Sequence, residues 1–119
     1  MKHPFHGLGV AMITPFLESG KPDFQAVSRI TEHLIQSGVD FIVPLGSTGE
    51  SITLRPSVQH DVLQVILETN QNRKPILVGC AGSDTLEVAE RMHSFANKFS
   101  IDGFLTASPA YNKPTQAGI

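Results

Sequence analysis

Cysteine, tryptophan and tyrosine are nearly missing from this 119-residue sequence, which has one, none and one of them. The lone Cys80 excludes an intrachain disulfide and a cysteine-cluster metal site. Basic residues number 9 against 11 acidic ones and form no block, so nucleic acid is not an expected partner. Long apolar runs are also lacking. The amino-terminal one is interrupted by Gly7, Gly9 and Pro15, too short and broken for a signal peptide or a membrane span. A cytoplasmic protein without a membrane partner is expected. No linker or low-complexity stretch divides the chain, so residues 1–119 are read as one domain. With 40% hydrophobic and 17% charged residues, such a chain can bury a core of its own.

Four short apolar runs stand out, at residues 9–14, 41–45, 75–79 and 103–107. They are continuous rather than alternating, as in parallel strands buried on both faces. Between them the apolar period changes to that of helices. Asp23 can cap a helix with Phe24, Val27, Ile30 and Leu34 on one face, and Gly38 can stop it. A second helix is predicted from Pro56, with Val58, Val62, Val65 and Ile66 turned inward. A third follows Asp84, whose spacing to Glu87 is close to a capping box, with Val88, Met92, Phe95 and Phe99 inward. The order β-α-β-α-β-α-β with right-handed crossovers fits two α/β architectures, an eight-fold barrel or an open doubly wound sheet. Periodicity does not choose between them. Pro44 cannot donate to a sheet ladder, so a bulge or a lost hydrogen bond is expected there.

In either architecture ligands bind at the carboxyl ends of the strands. The run 46–51, Gly-Ser-Thr-Gly-Glu-Ser, sits at such an end. Gly46 and Gly49 permit close backbone approach, turn amides can converge on an anion, and Ser47 and Thr48 add hydroxyls. A carboxylate or phosphate is the natural guest, and a plain structural turn is the alternative. A nucleotide phosphate loop is excluded because no lysine follows Gly49. Tyr111 can relay a proton or simply pack at a rim. Glu50 can act as a base or as a structural acceptor. Cys80 reads as a small core residue at the functional rim. His33, His60 and His93 fall on separate helices, on or near polar faces, and are expected to be solvated. His3 and His6 lack carboxylate partners, so no metal site is expected.

The motifs together are more specific than any one of them. GVAMITPF (9–16), GSTGES (46–51) and SPAYNKPTQ (108–116) resemble the dihydrodipicolinate synthase family of pyruvate-dependent class I aldolases. The resemblance spans nearly the whole chain. It implies a (β/α)8 barrel, of which this chain would be the amino-terminal half, about four strands and three helices. It implies that a lysine forms a Schiff base with pyruvate and that the enamine attacks aspartate semialdehyde, with no metal or organic cofactor. Thr48, with nearby amides at Gly46 and Gly49, would hold the pyruvate carboxylate. Ser47 stands where the family usually has a relay threonine. Tyr111 would be the relay tyrosine that completes a neighbouring subunit's site, implying a homodimer or tetramer. Ala110, Pro56 and Gln59 depart from residues that bind the feedback inhibitor lysine, although Glu87 matches, so weak or absent inhibition is expected. The family's catalytic lysine belongs to the sixth strand, and none of Lys2, Lys21, Lys74, Lys98 and Lys113 matches it. GSTGE is also common in N-acetylneuraminate lyases, a second reading. A non-catalytic half-barrel that binds carboxylates or a partner chain is a third.

Overall fold

A computed structural model describes residues 3–109 and 111–119. The expectations for Lys2 and Ala110 therefore lie outside the described residues. The four apolar runs form β1 (Gly9–Ala11), β2 (Phe41–Val43), β3 (Leu77–Gly79) and β4 (Gly103–Leu105). Between them lie α1 (Phe24–Gln36), α2 (Pro56–Asn70) and α3 (Thr85–Lys98). Short 3-10 turns occupy Ser51–Thr53 and Gln116–Gly118.

The strands pair in parallel, Gly9 opposite Phe41 and Leu77 opposite Gly103. A parallel bridge between Ile42 and Ile76 joins the two pairs. Two hydrogen bonds reinforce it, from Ile42 N to Pro75 O (3.1 Å) and from Gly79 N to Pro44 O (2.8 Å). The spatial order is thus β1-β2-β3-β4, with no reversal. A doubly wound sheet reverses its order at a switch point and carries helices on both faces. Here the core formed with the helices, including Met12, Ile42, Val78, Val27, Ile66 and Phe95, lies on one face. The opposite face leaves Ile13 52% and Leu105 49% exposed. Sequential order with one covered face is the geometry of a barrel sector.

Each strand is shorter than its apolar run. For β2 the cause is Pro44, which has no N–H and is followed by Leu45 at φ 58°, where the chain turns away. Pro44 still serves the sheet through its carbonyl, which accepts from Gly79 N.

The caps are as expected. Asp23 accepts from Ala26 N, and Asp84 accepts from Leu86 N and Glu87 N. Glu87 does not reach back to complete a capping box and instead pairs with Arg91 at 3.5 Å. The inner faces differ in detail. Phe24 is exposed and Thr31 takes the buried position on α1, its hydroxyl donating to Val27 O. On α2, Gln59, Leu63 and Asn70 are buried while Val58 and Val65 are half-buried. The two polar ones are held by backbone partners, which removes the penalty of burying an amide. Gln59 Nε2 donates to Ser51 O (2.9 Å) and Leu54 O (3.0 Å), and Asn70 exchanges two bonds with the Lys74 backbone.

His60 is a correction, because its ring is half-buried against the next helix rather than freely solvated. Its ring stacks on Phe95 at 4.7 Å and leans on Phe99 at 5.5 Å, bridging α2 and α3. Its Nε2 lies 3.1 Å from Ser94 Oγ. Burial, then the nearby Lys98 charge, lowers its pKa from 6.5, with Asp61 opposing. The folded state therefore favours the neutral ring. Its contribution to stability is complete above 6.5 and is lost as pH falls through the depressed folded value. Thermal unfolding followed against pH should show a midpoint that drops on acidification. His60→Phe should flatten that part of the profile, and an unchanged profile would disprove the assignment.

Candidate functional site

At the carboxyl ends of β2, β3 and β4 lies an open cavity of about 290 Å³. Gly46, Ser47 and Ser51 form one wall, Cys80 and Ala81 the middle, and Leu105, Thr106 and Ala107 the other wall. This is the end of the strands at which parallel α/β folds place ligands. A smaller cavity of about 140 Å³ sits at the opposite end, lined by Asn70, Lys74, Ile76 and Asp102 among others. Several of its polar groups already have protein partners. Asn70 is tied to Lys74, and Asp102 Oδ2 accepts from Ile76 N at 2.8 Å. That end reads as a sealed turn rather than a binding site.

The turn after β2 is built from its own backbone. Gly49 N donates to Gly46 O (3.1 Å), Glu50 N to Ser47 O (3.0 Å) and Ser51 N to Gly46 O (3.5 Å). The amides of Gly49, Glu50 and Ser51 are therefore occupied. Among the described residues, the amides of Ser47 and Thr48 have no acceptor. Both side chains are exposed, and Ser47 lines the cavity. A two-amide, two-hydroxyl donor set at a strand end suits a carboxylate. Leu45 and Glu50 flank the turn with φ of 58° and 53°. Such left-handed conformations are costly for non-glycine residues and cluster at functional turns.

The two glycines of the motif are placed differently. Gly46 lines the cavity and has open space around a hypothetical Cβ. Gly49 is buried, where a Cβ would come within 3.1 Å of both Leu45 N and Met12 O. Close approach at Gly49 is to the chain's own backbone. Tyr111 follows β4 at the same end of the strands but does not line the cavity, and it is 88% exposed. Cys80 is buried in the cavity's middle, its thiol 3.8 Å from Val88 O. The Glu50 side chain is exposed, while its carbonyl accepts from Thr53 N and Thr53 Oγ1.

Two residues have supporting roles that were not read from sequence, although Thr14 was expected at this end of the strands. Thr14, beyond the end of β1, is buried and its hydroxyl donates to Gly49 O at 2.7 Å. Gly79, at the end of β3, passes so close beneath the turn that a Cβ would meet the Leu45 carbonyl oxygen and the Gly46 backbone. Both are strand-end residues beside the turn, but their partners are remote in sequence. Gln59 is a third support, since its buried amide holds the 3-10 turn that follows. That amide is consequently not free for a ligand.

No helix among the described residues is long and apolar enough to cross a membrane. The sequence model of the dihydrodipicolinate synthetase family matches residues 4–119. The 4-hydroxy-tetrahydrodipicolinate synthase of Koribacter versatilis is 43% identical over 112 residues, covering 94% of this chain and 37% of that protein. The crystal structure of DHDPS from Cyanidioschyzon merolae with lysine bound superposes with a TM-score of 0.91 at 32% identity. It covers 98% of this chain and 40% of that one. The N-acetylneuraminate lyase of Proteus mirabilis superposes with a TM-score of 0.86 over 95% of this chain and 38% of its own. Its identity, 24%, shows a shared fold alone. The chain thus spans about two fifths of the length of the proteins it matches, and the shared fold is the amino-terminal part of a TIM barrel.

Proposed function

The chain belongs to the dihydrodipicolinate synthetase family, and on that premise we propose that its 46–51 turn grips the carboxylate of pyruvate. In a protein of its relatives' length, this rim serves a cytoplasmic lyase that condenses pyruvate with L-aspartate 4-semialdehyde. The product is 4-hydroxy-tetrahydrodipicolinate, for lysine and diaminopimelate biosynthesis. The observation that carries the reading is the pair of unpartnered amides in one turn, at Ser47, which lines the strand-end cavity, and at Thr48, the residue that follows it. The names of the relatives, synthases at 43% and 41% identity, support the substrate pair over the neuraminate lyase alternative.

Each residue then has a chemical task. Thr48 and the free amides neutralise the carboxylate and orient the keto carbon. Ser47 and Tyr111 pass the proton that leaves and returns as the carbonyl becomes an imine and the carbinolamine loses water. High exposure of Tyr111 suits a side chain that completes a neighbouring subunit's site, so a homodimer or tetramer belongs to this reading. The nucleophile is a lysine contributed from outside residues 1–119. Among the described residues, no lysine lines the cavity. Weak or absent inhibition by lysine fits as well. Gln59 uses its amide on Ser51 and Leu54, and Pro56 begins α2 and offers no side-chain donor.

Trapping with borohydride tests the proposal. The 119-residue chain, incubated with pyruvate and borohydride, should show no mass increase. A chain carried to the full length of its relatives should gain one reduced pyruvate on a lysine beyond residue 119. An adduct on Lys21, Lys74, Lys98 or Lys113 would refute the division of labour. Saturable pyruvate binding without any adduct at full length would favour the non-catalytic carboxylate-binding reading.

A further inference from the structure

We propose that Thr14 is a positioning residue that turns the Thr48 amide outward from the 46–51 turn, next to the cavity wall formed by Ser47. The proposal rests on the carboxylate reading of the same turn. Thr14 is 5% exposed, and its hydroxyl bonds across 35 residues to Gly49 O at 2.7 Å. The carbonyl of Gly49 and the N–H of Glu50 belong to one planar peptide unit. That N–H donates to Ser47 O at 3.0 Å. The carbonyl of Ser47 in turn shares a planar unit with the N–H of Thr48. In a trans peptide the C=O and N–H point in opposite directions. With Ser47 O drawn inward to Glu50, the Thr48 N–H is turned outward, and it has no acceptor among the described residues.

A relay of two rigid planes therefore connects a buried hydroxyl on β1's extension to the donor that meets the ligand. At Gly49 the relay runs close to the chain's own backbone, since a Cβ there would lie tight against Met12 O and Leu45 N, both at 3.1 Å. Thr14 does not line the cavity. Its effect passes through the turn.

The experiment compares wild type, Thr14→Val and Thr14→Ser by amide hydrogen exchange and by pyruvate titration, both read by NMR. Valine keeps the shape and removes the donor. It should expose the Glu50 amide to exchange and weaken pyruvate binding about tenfold. Serine restores the hydroxyl and should return both to wild-type values. A lowered melting temperature in Thr14→Val, with Glu50 protection and pyruvate affinity unchanged, would mean a merely structural hydroxyl and overturn the proposal. Should Thr14→Val not fold, Thr14→Cys replaces the hydroxyl with a weak donor and should give intermediate Glu50 protection. Wild-type protection in that variant overturns it equally. If wild type binds no pyruvate, the carboxylate reading fails, and the Glu50 amide still decides whether Thr14 sets the turn.

Discussion

Gly79→Ala is expected to destabilise the protein by about 3 kcal/mol and to displace the site at the same time. The added methyl would lie against the Leu45 carbonyl oxygen, 2.5 Å from Gly46 N and 2.6 Å from Gly46 Cα. All three are backbone atoms, so no flexible side-chain end can swing away. Leu45 is fully buried, and Gly79 N is bonded to Pro44 O at 2.8 Å, which keeps the two segments from separating. A loss of about 3 kcal/mol is a large part of the roughly 5–15 kcal/mol that holds a small domain folded. Gly46→Ala is the control, because nothing lies within 4 Å of its hypothetical Cβ. Urea unfolding should show a much lower midpoint for Gly79→Ala with an unchanged slope, and nearly wild-type behaviour for Gly46→Ala. Equal stability of the two variants would mean that β3 does not support the turn from below.

Combined replacement of Ser47 by alanine and Thr48 by valine should weaken pyruvate binding roughly 100-fold. A hydrogen bond to a charged group contributes about 1.5–3 kcal/mol, so each hydroxyl corresponds to roughly tenfold or more. Both side chains are exposed, so the pair can be changed with little effect on folding. Calorimetric or NMR titration of pyruvate reads the affinity, and a melting curve checks that the fold survives. Retained affinity in the folded double variant would remove these hydroxyls from the site.

How far the sequence foretells this structure depends on how local the cause is. The order of strands and helices was legible because apolar runs and helical periodicity are local patterns. Asp23 and Asp84 were legible as caps because an N-cap needs a partner two or three residues away. Strand ends were less so. The β2 run continues in apolar residues through Leu45, but Pro44 lacks a donor and Leu45 turns left-handed. The choice between barrel and doubly wound sheet was closed to periodicity, and it follows from strand order and the one-sided core. His60 was misread because its neighbours in sequence are polar, while Phe95 and Ser94 come from the next helix.

The candidate site divides in the same way. Ser47, Thr48, Gly46 and Gly49 form a visible cluster, and the turn they make is where the motif put it. What sequence could not show is which amides remain free once the turn closes on itself. Nor could it show that Gly49 faces the protein, or that Thr14 and Gly79 hold the turn from flanking strands. These depend on contacts across about 30 residues, for which a single sequence carries no local pattern.

Mapping pyruvate onto the 15N-labelled chain by NMR tests the central claim most directly. The account predicts saturable shifts that are largest at the Ser47 and Thr48 amides and extend to Cys80 and Thr106 across the cavity. Shifts centred on Asn70, Ile76 and Asp102 at the opposite strand end, or no saturable response at the turn, would contradict it.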